Sequence, residues 1–271
     1  MFDTYLAEFS AAWKTFIRIP LPGFLSGGRE SDFDEIDGHS ALLRPMMPLI
    51  GTLLGLLIAV PLWALNLFFH GRFAAGLIGA AVVPLALELL NSWGGLNALT
   101  SYIELRRQGA SQEEAIQTPP ASMTAPRSGA SMLMLMTLYF LRMVFCGVLA
   151  YFSPVWFVIA FTCAWLVRAQ LVSLNPPGGF GRAWIETPRG WEQRHWHFAL
   201  AVLLITAVLH FGISHLFAVL LAFGVAWAVA WYAGNLCLDA VSGINRQALE
   251  IFGYAAEMVL LFLGVLLYAA P

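Results

Sequence analysis

The sequence predicts an all-α, polytopic membrane protein with about seven transmembrane helices and an N-terminal interfacial helix. Of its 271 residues, 59% are hydrophobic and 11% are charged, and the mean hydropathy is +0.74. Soluble domains usually carry about 25% charged residues, so the composition excludes an ordinary soluble protein. A helix needs about 20 apolar residues to cross the hydrocarbon core of a bilayer, and runs of that length recur along the chain.

Seven apolar runs are long enough to be transmembrane helices. They cover residues 45–68, 73–98, 130–152, 154–174, 196–212, 214–236 and 248–270. The first 19 residues mix aromatic and charged side chains, and prolines follow at positions 20 and 22. This pattern predicts a helix that lies in the membrane interface rather than a secretory signal. No repeat or flexible linker divides the chain, so we expect a single transmembrane domain over residues 1–271.

The basic residues predict the orientation in the membrane. Twelve of them lie in or beside the N-terminal segment and the second, fourth and sixth connections: Lys14, Arg18, Arg29, Arg44, Arg106, Arg107, Arg127, Arg168, Arg182, Arg189, Arg194 and Arg246. Because basic residues collect on the cytoplasmic side, we expect a multi-pass protein of the bacterial inner membrane with its N-terminus in the cytoplasm and its C-terminus outside. The net charge of −2 gives no indication of a nucleic-acid partner.

The second apolar run ends in a polar stretch, NSWGGLNALTSYIELRR, at residues 91–107. Gly94 and Gly95 interrupt the run, and Asn97, Thr100 and other polar residues follow. We interpret this stretch as a helix that unwinds into a polar pocket at the membrane surface. Further along the chain, Ser111 precedes Glu114 by three residues, as in a helix-capping box, which predicts a short surface helix.

Three charged residues fall inside apolar runs. Glu88, Arg142 and Glu257 have no polar neighbours in sequence that would keep them in water. An unpaired ion costs a few kcal/mol in the bilayer, so these side chains must face protein or water. Two hypotheses satisfy this requirement equally: a functional site, or a structural ion pair of Arg142 with Glu88 or Glu257.

Several stretches resemble, in the right order, the motifs of one membrane enzyme family. They are FIRIPLP from Phe16, MPLIGTLLGLL from Met47, MTAPRSGASM from Met123, VRAQLVSLNPPGGFG from Val167 and GINRQALEIFGYAAEM from Gly243. Together they are similar to the cobalamin synthase family, the membrane-bound adenosylcobinamide-GDP ribazoletransferases. The resemblance implies a cobalamin-synthase-like fold. It also implies an ancestral reaction in which ribazole phosphate is transferred onto adenosylcobinamide-GDP and GMP is released, with Mg²⁺ as cofactor.

The carboxylates that the resemblance would require are missing. The family motif His-Leu-Asp-Gly-Leu-Ala-Asp-Thr-x-Asp-Gly aligns with residues 92–102, and it places Gly94, Ala98 and Ser101 at the three Asp positions and Ser92 at the His. Arg127 remains from the Met-Arg-Asp-Ser-Arg motif, whereas Thr124 and Ala125 replace its first Arg and Asp. In the last motif Asn245, Arg246 and Gln247 stand for Thr-Gly-Asp, Glu250 replaces a Gly, and Glu257 keeps an acidic position. The resemblance thus implies a degenerate pocket formed by Asn91, Ser92, Asn97, Thr100, Arg127, Asn245 and Arg246.

This loss of carboxylates argues against the ancestral chemistry. Mg²⁺ at a pyrophosphate is normally held by two or more carboxylates, and neutral Asn and Ser side chains do not replace them. We therefore expect no catalytic residues, no metal site and no cofactor. The first hypothesis is a pseudoenzyme that serves as an accessory or structural subunit of a membrane complex, in contact with lipid and with other membrane subunits. The alternatives are an active Mg²⁺-dependent ribazoletransferase whose ligands have moved, to Glu88, Glu104 or Asp239, and a transporter or lipid binder that uses the emptied pocket.

Overall fold

The structure, a computed structural model, describes residues 9, 10, 13, 43–69, 71–90, 94–118, 128–173, 194–206, 216–240 and 246–268. Nine helices occupy these ranges: α1 (Leu43–Phe69), α2 (Arg72–Leu90), α3 (Gly94–Arg107), α4 (Gln112–Gln117), α5 (Gly129–Phe152), α6 (Trp156–Ser173), α7 (Arg194–Thr206), α8 (Leu216–Ala240) and α9 (Arg246–Tyr268). No strand occurs in the part of the chain that is described. The predicted all-α fold is confirmed.

Five of these helices are long and apolar enough to cross a membrane. They are α1, α2, α5, α8 and α9, and the apolar part of α6, Trp156–Leu171, is shorter. The chain is therefore a multi-pass membrane protein. The predicted span at 196–212 corresponds only in part to α7, which has 13 residues and ends at Thr206 within the described ranges.

The second predicted span, 73–98, is wrong at its C-terminal end. Helix α2 ends at Leu90, and a separate helix, α3, begins at Gly94. The polar stretch does not unwind as we interpreted it, because Gly94, Gly95, Asn97 and Thr100 are all helical. The two glycines are kept in the helix by close packing: a β-carbon added at Gly95 would lie 2.9 Å from the Tyr254 side chain on α9.

Helix α6 is the centre of the fold. Almost every residue between Trp156 and Ala169 is buried, and α6 packs against α1, α7, α8 and α9. A helix that is apolar on all sides suits this position, since it meets protein rather than water on every face. Its first residue also fixes α9, because the indole Nε1 of Trp156 donates to the carbonyl oxygen of Leu260 at 2.9 Å.

Small residues let the helices approach closely. On α1, a β-carbon added at Gly51 would lie 2.4 Å from the carbonyl oxygen of Phe161, and one at Gly55 would lie 2.5 Å from the Cα of Val158. The Gly51–Gly55 spacing is the small-xxx-small pattern that is common where membrane helices pack. Between these glycines the hydroxyls of Thr52 and Thr162 share a hydrogen bond of 2.9 Å. Helices α2 and α5 approach in the same way at Gly79.

The polar helices α3 and α4 are joined by recognisable caps. Gly109, at a φ of 92°, ends α3, and the N–H of Ala110 donates to the carbonyl oxygen of Leu105 at 3.1 Å. The predicted short helix is confirmed as α4. The hydroxyl of its N-cap residue, Ser111, accepts from the N–H of Glu114 at 3.1 Å.

Of the predicted N-terminal interfacial helix, Phe9, Ser10 and Trp13 fall within the described residues. All three are helical and buried, and the rings of Phe9 and Trp13 are 5.9 Å apart within the hydrophobic core. These rings therefore attach the N-terminal segment to the helical bundle. The rest of that segment lies outside the described residues.

Candidate functional site

The three intramembrane charges meet at one point. Arg142 on α5 donates from Nη1 to Glu88 on α2 and from Nη2 to Glu257 on α9. The exposed fractions are 0% for Arg142, 1% for Glu88 and 1% for Glu257. One guanidinium therefore ties three transmembrane helices together, out of contact with lipid and water. We call these three residues the ion triad.

Tyr254 links the ion triad to α3. The Cζ of Arg142 lies 5.1 Å from the centre of the Tyr254 ring, a distance at which the ring face attracts the cation. The other side of this ring packs on Gly95. At Gly95, α3 thus faces a filled space rather than an open one.

The polar residues of α3 are buried in this packing. Thr100 donates from its hydroxyl to the carbonyl oxygen of Leu96 at 2.7 Å, within its own helix. Asn97 is also buried, and so are Ala98 and Ser101, two of the three positions that the resemblance aligns with Asp. Burial of these neutral side chains costs less than burial of carboxylates, which would need a cation or another strong partner, although the hydroxyl of Ser101 has no hydrogen-bond partner within the described ranges.

A second pair of charged residues lies beside the ion triad. The carboxyl carbon of Glu250 would be 3.5 Å from a β-carbon at Gly94, so this carboxylate lies against the first residue of α3, where the helix dipole favours an anion. One turn further along α9, the guanidinium of Arg168 fills the space above Gly253, where an added β-carbon would be 2.2 Å from its Nε. Arg168 is buried within α6 and lies 4.9 Å from the ring of its neighbour Trp165.

The structure describes part of the predicted pocket. Asn97 and Thr100 are buried on α3, the helix whose Gly95 contacts Tyr254. Arg246 is the first residue of α9, but its side chain is outside the described atoms. Asn91, Ser92, Arg127 and Asn245 lie outside the described residues altogether.

Two residues of this region were not predicted as site residues. Arg168 entered the sequence analysis only as a marker of orientation, and Glu250 only as a departure from a motif. The signal for Glu250 was its spacing, since it precedes Glu257 by seven residues and so shares a face of α9 with it. The burial of Arg168 had a weaker signal, namely its place within a long run of apolar residues.

No metal-binding group is formed by the described residues. Nowhere in those ranges do three or more His, Cys, Asp or Glu side chains come close enough to hold an ion. Cys146 and Cys163 are buried and free, as expected of small hydrophobic residues. The carboxylates of Glu88 and Glu257 are paired with Arg142. Coordination of Mg²⁺ would instead require carboxylates together with water or phosphate oxygens.

Comparison with known proteins identifies no relative: no family model, no curated protein and no solved structure matches the chain.

Proposed function

We propose that the chain is a divergent, non-catalytic member of the cobalamin synthase fold that serves as an accessory or structural subunit of a membrane complex. We place it in the bacterial inner membrane, with its N-terminus in the cytoplasm. Two features support the proposal: the acids inside the bundle are used to hold helices together, and one helix presents an exposed aromatic face to the membrane.

The two acids of the ion triad are already paired with a cation. Glu88 and Glu257 bind Arg142, and a carboxylate held in this way has little capacity to hold Mg²⁺ against a pyrophosphate. Glu104 accepts a hydrogen bond of 2.8 Å from the hydroxyl of Ser128. Along α3, Glu104 lies ten residues beyond Gly94. That separation corresponds to about 15 Å of helix. Glu104 is therefore too far from the carboxylate of Glu250, which lies against Gly94, to share a metal ion with it.

The exposed face of α8 is the surface on which we expect a partner. Its described residues that point away from the bundle follow a spacing of three and four: Phe217, Leu220, Gly224, Trp227 and Trp231. The opposite face carries buried alanines that pack on the bundle. Large side chains therefore project from α8 toward the membrane. Between them, Gly224 has no side chain and open space around it, so the face has a gap at this position.

Trp227 is the observation that carries the proposal. It is 55% exposed and lies one residue from the middle of the span Leu216–Leu236. Tryptophan prefers the two interfaces of a bilayer, where its N–H meets water or headgroups. At mid-span hydrocarbon offers no acceptor, and the indole has no hydrogen-bond partner among the residues that the structure describes. A helix of a partner subunit would cover the ring and supply an acceptor.

The experiment is extraction from native membranes in a mild detergent, followed by a native gel and identification of the co-purifying chains. We expect the wild-type chain to migrate with other subunits, and Trp227→Leu to release it. Trp63→Leu is the matched control, because Trp63 is an exposed tryptophan on α1. Migration of the wild-type chain alone, or equal release by both variants, would contradict the proposal.

One observation favours the second candidate, an active ribazoletransferase. Glu250 returns a single carboxylate to the N-terminus of α3, near the ancestral metal position. We expect release of GMP from adenosylcobinamide-GDP and ribazole phosphate to stay at background with Mg²⁺, because one carboxylate is fewer than the metal requires. Release that a chelator abolishes and Glu250→Gln removes would establish the enzyme instead.

A further inference from the structure

A small cavity with charged and apolar walls lies where α3 ends and α5 begins. Its volume is about 230 Å³, and it is lined by Glu104, Arg107 and Gln108 of α3 and by Ser128, Ala130, Ser131 and Met134 of α5. The membrane span of α5 begins at Gly129. The cavity is therefore at the level of the lipid headgroups.

The first turn of α5 offers donors to this cavity. The hydroxyl of the N-cap residue Ser128 accepts from the N–H of Ser131 at 3.1 Å. The preceding N–H groups, those of Gly129 and Ala130, have no acceptor among the described residues. Around Gly129 there is open space, since an added β-carbon would meet nothing within 4 Å. The N-terminus of a helix of 24 residues attracts anions through these N–H groups and through its dipole.

Ser131 independently indicates that the cavity holds a ligand. Its side chain lines the cavity and the residue is 3% exposed, yet its hydroxyl has no hydrogen-bond partner within the described ranges. A buried hydroxyl without a partner is costly, so such groups are normally satisfied. An oxygen of a bound ligand would satisfy this one.

The charges of the cavity select the kind of ligand. Arg107 supplies one positive charge, and Glu104 supplies one negative charge next to the hydroxyl of Ser128. We propose that this cavity binds the headgroup of a phospholipid that carries a phosphate and a primary ammonium, as phosphatidylethanolamine does. The phosphate contacts Arg107, the Ser131 hydroxyl and the first N–H groups of α5, and the ammonium contacts Glu104. This inference does not depend on the function proposed above.

The lining distinguishes ethanolamine from choline. A quaternary ammonium has no N–H to donate to Glu104, and proteins usually bind it in a cage of aromatic rings. No aromatic side chain lines the cavity among the described residues. The position of the cavity at the start of the α5 span favours a lipid over a soluble phosphate ester.

Native mass spectrometry of the full-length protein tests the assignment. The protein is incubated in detergent with phosphatidylethanolamine, phosphatidylcholine and phosphatidylglycerol of identical acyl chains, in equal amounts. We expect one phosphatidylethanolamine to be retained in preference to the others. Loss of one charge-assisted contact in Arg107→Gln or Glu104→Gln should weaken this binding about tenfold. The matched controls Arg106→Gln and Glu113→Gln, on residues that do not line the cavity, should not change it.

Three outcomes would overturn the proposal, and each is read from the wild-type protein even where a variant fails to fold. Equal retention of the three lipids would mean non-specific contact with lipid. Preference for phosphatidylglycerol would mean a site for a net anion. Displacement by soluble phosphoethanolamine at the concentration of the lipid would mean a soluble ligand.

Discussion

Removal of the guanidinium from the ion triad should destabilise the protein more than any other single charge substitution in the bundle. In Arg142→Met the carboxylates of Glu88 and Glu257 both lose their partner while their surroundings stay closed to water. Breaking a buried ion pair costs about 3–5 kcal/mol, because a buried charge is left without compensation. Since two carboxylates share the one guanidinium, we take this range as a lower bound.

The acids should be less sensitive than the arginine. Two carboxylates and one guanidinium leave one negative charge in the ion triad, so Glu88→Gln produces a neutral pair of Arg142 with Glu257. The amide oxygen of glutamine can still accept from Arg142, and we expect a loss of about 1–3 kcal/mol. The triple variant Glu88→Leu, Arg142→Met, Glu257→Leu contains no buried charge. It should be close to the wild type in stability, as apolar replacements of buried ion clusters often are.

Thermal denaturation in detergent measures this order. The 10 tryptophans of the chain give an intrinsic fluorescence signal. At about 2–4 °C per kcal/mol for chains of somewhat smaller size, Arg142→Met should lower the midpoint by at least about 6 °C. Arg72→Met, at an exposed arginine that begins α2, is the matched control. An equal midpoint for the two variants, or a triple variant no more stable than Arg142→Met, would refute the structural role of the ion triad.

Two further substitutions test the packing. Gly51→Ala should lower the denaturation midpoint, because its new methyl group would lie 2.4 Å from the carbonyl oxygen of Phe161. The control Gly224→Ala, on the open face of α8, should not lower it. Equal effects of the two variants would argue against close contact of α1 with α6. Trp156→Phe removes the hydrogen bond to Leu260 and should cost about 1 kcal/mol by the same assay, and a neutral result would argue against that bond.

The sequence was most informative where one physical requirement dominates. The length of an apolar run is set by the thickness of the bilayer, so α1, α2, α5, α8 and α9 could be located from hydropathy alone. The end of α2 could not, because Gly94 and Gly95 are ambiguous in sequence. Glycine interrupts a helix in water, yet it also permits close helix packing in a membrane. Only the position of Tyr254 over Gly95 decides between the two.

The candidate site was predictable in kind but not in arrangement. A charge within a span requires a partner, and that rule led from the sequence to Glu88, Arg142 and Glu257. The rule does not say which helices are neighbours, because that depends on packing between residues far apart in the chain. Arg168 illustrates the same limit, since its contact with Gly253 joins α6 to α9 across 85 positions, from 168 to 253.

One face of α9 meets both buried arginines, Arg142 and Arg168. The face carries Glu250, Gly253, Tyr254 and Glu257, at a spacing of three, one and three residues, which places them together on the helix. Arg142 contacts the last two, and Arg168 fills the space at Gly253. The carboxylates of this face and the ring of Tyr254 thus hold α9 to α3 and α5, whereas the hydroxyl of Tyr254 has no hydrogen-bond partner within the described ranges. The charges inside the bundle thus hold helices together, and the groups that remain for recognition lie outside it, on α8 and at the start of α5. The experiments on the Trp227 face and on the Arg107 cavity test recognition at these two surfaces.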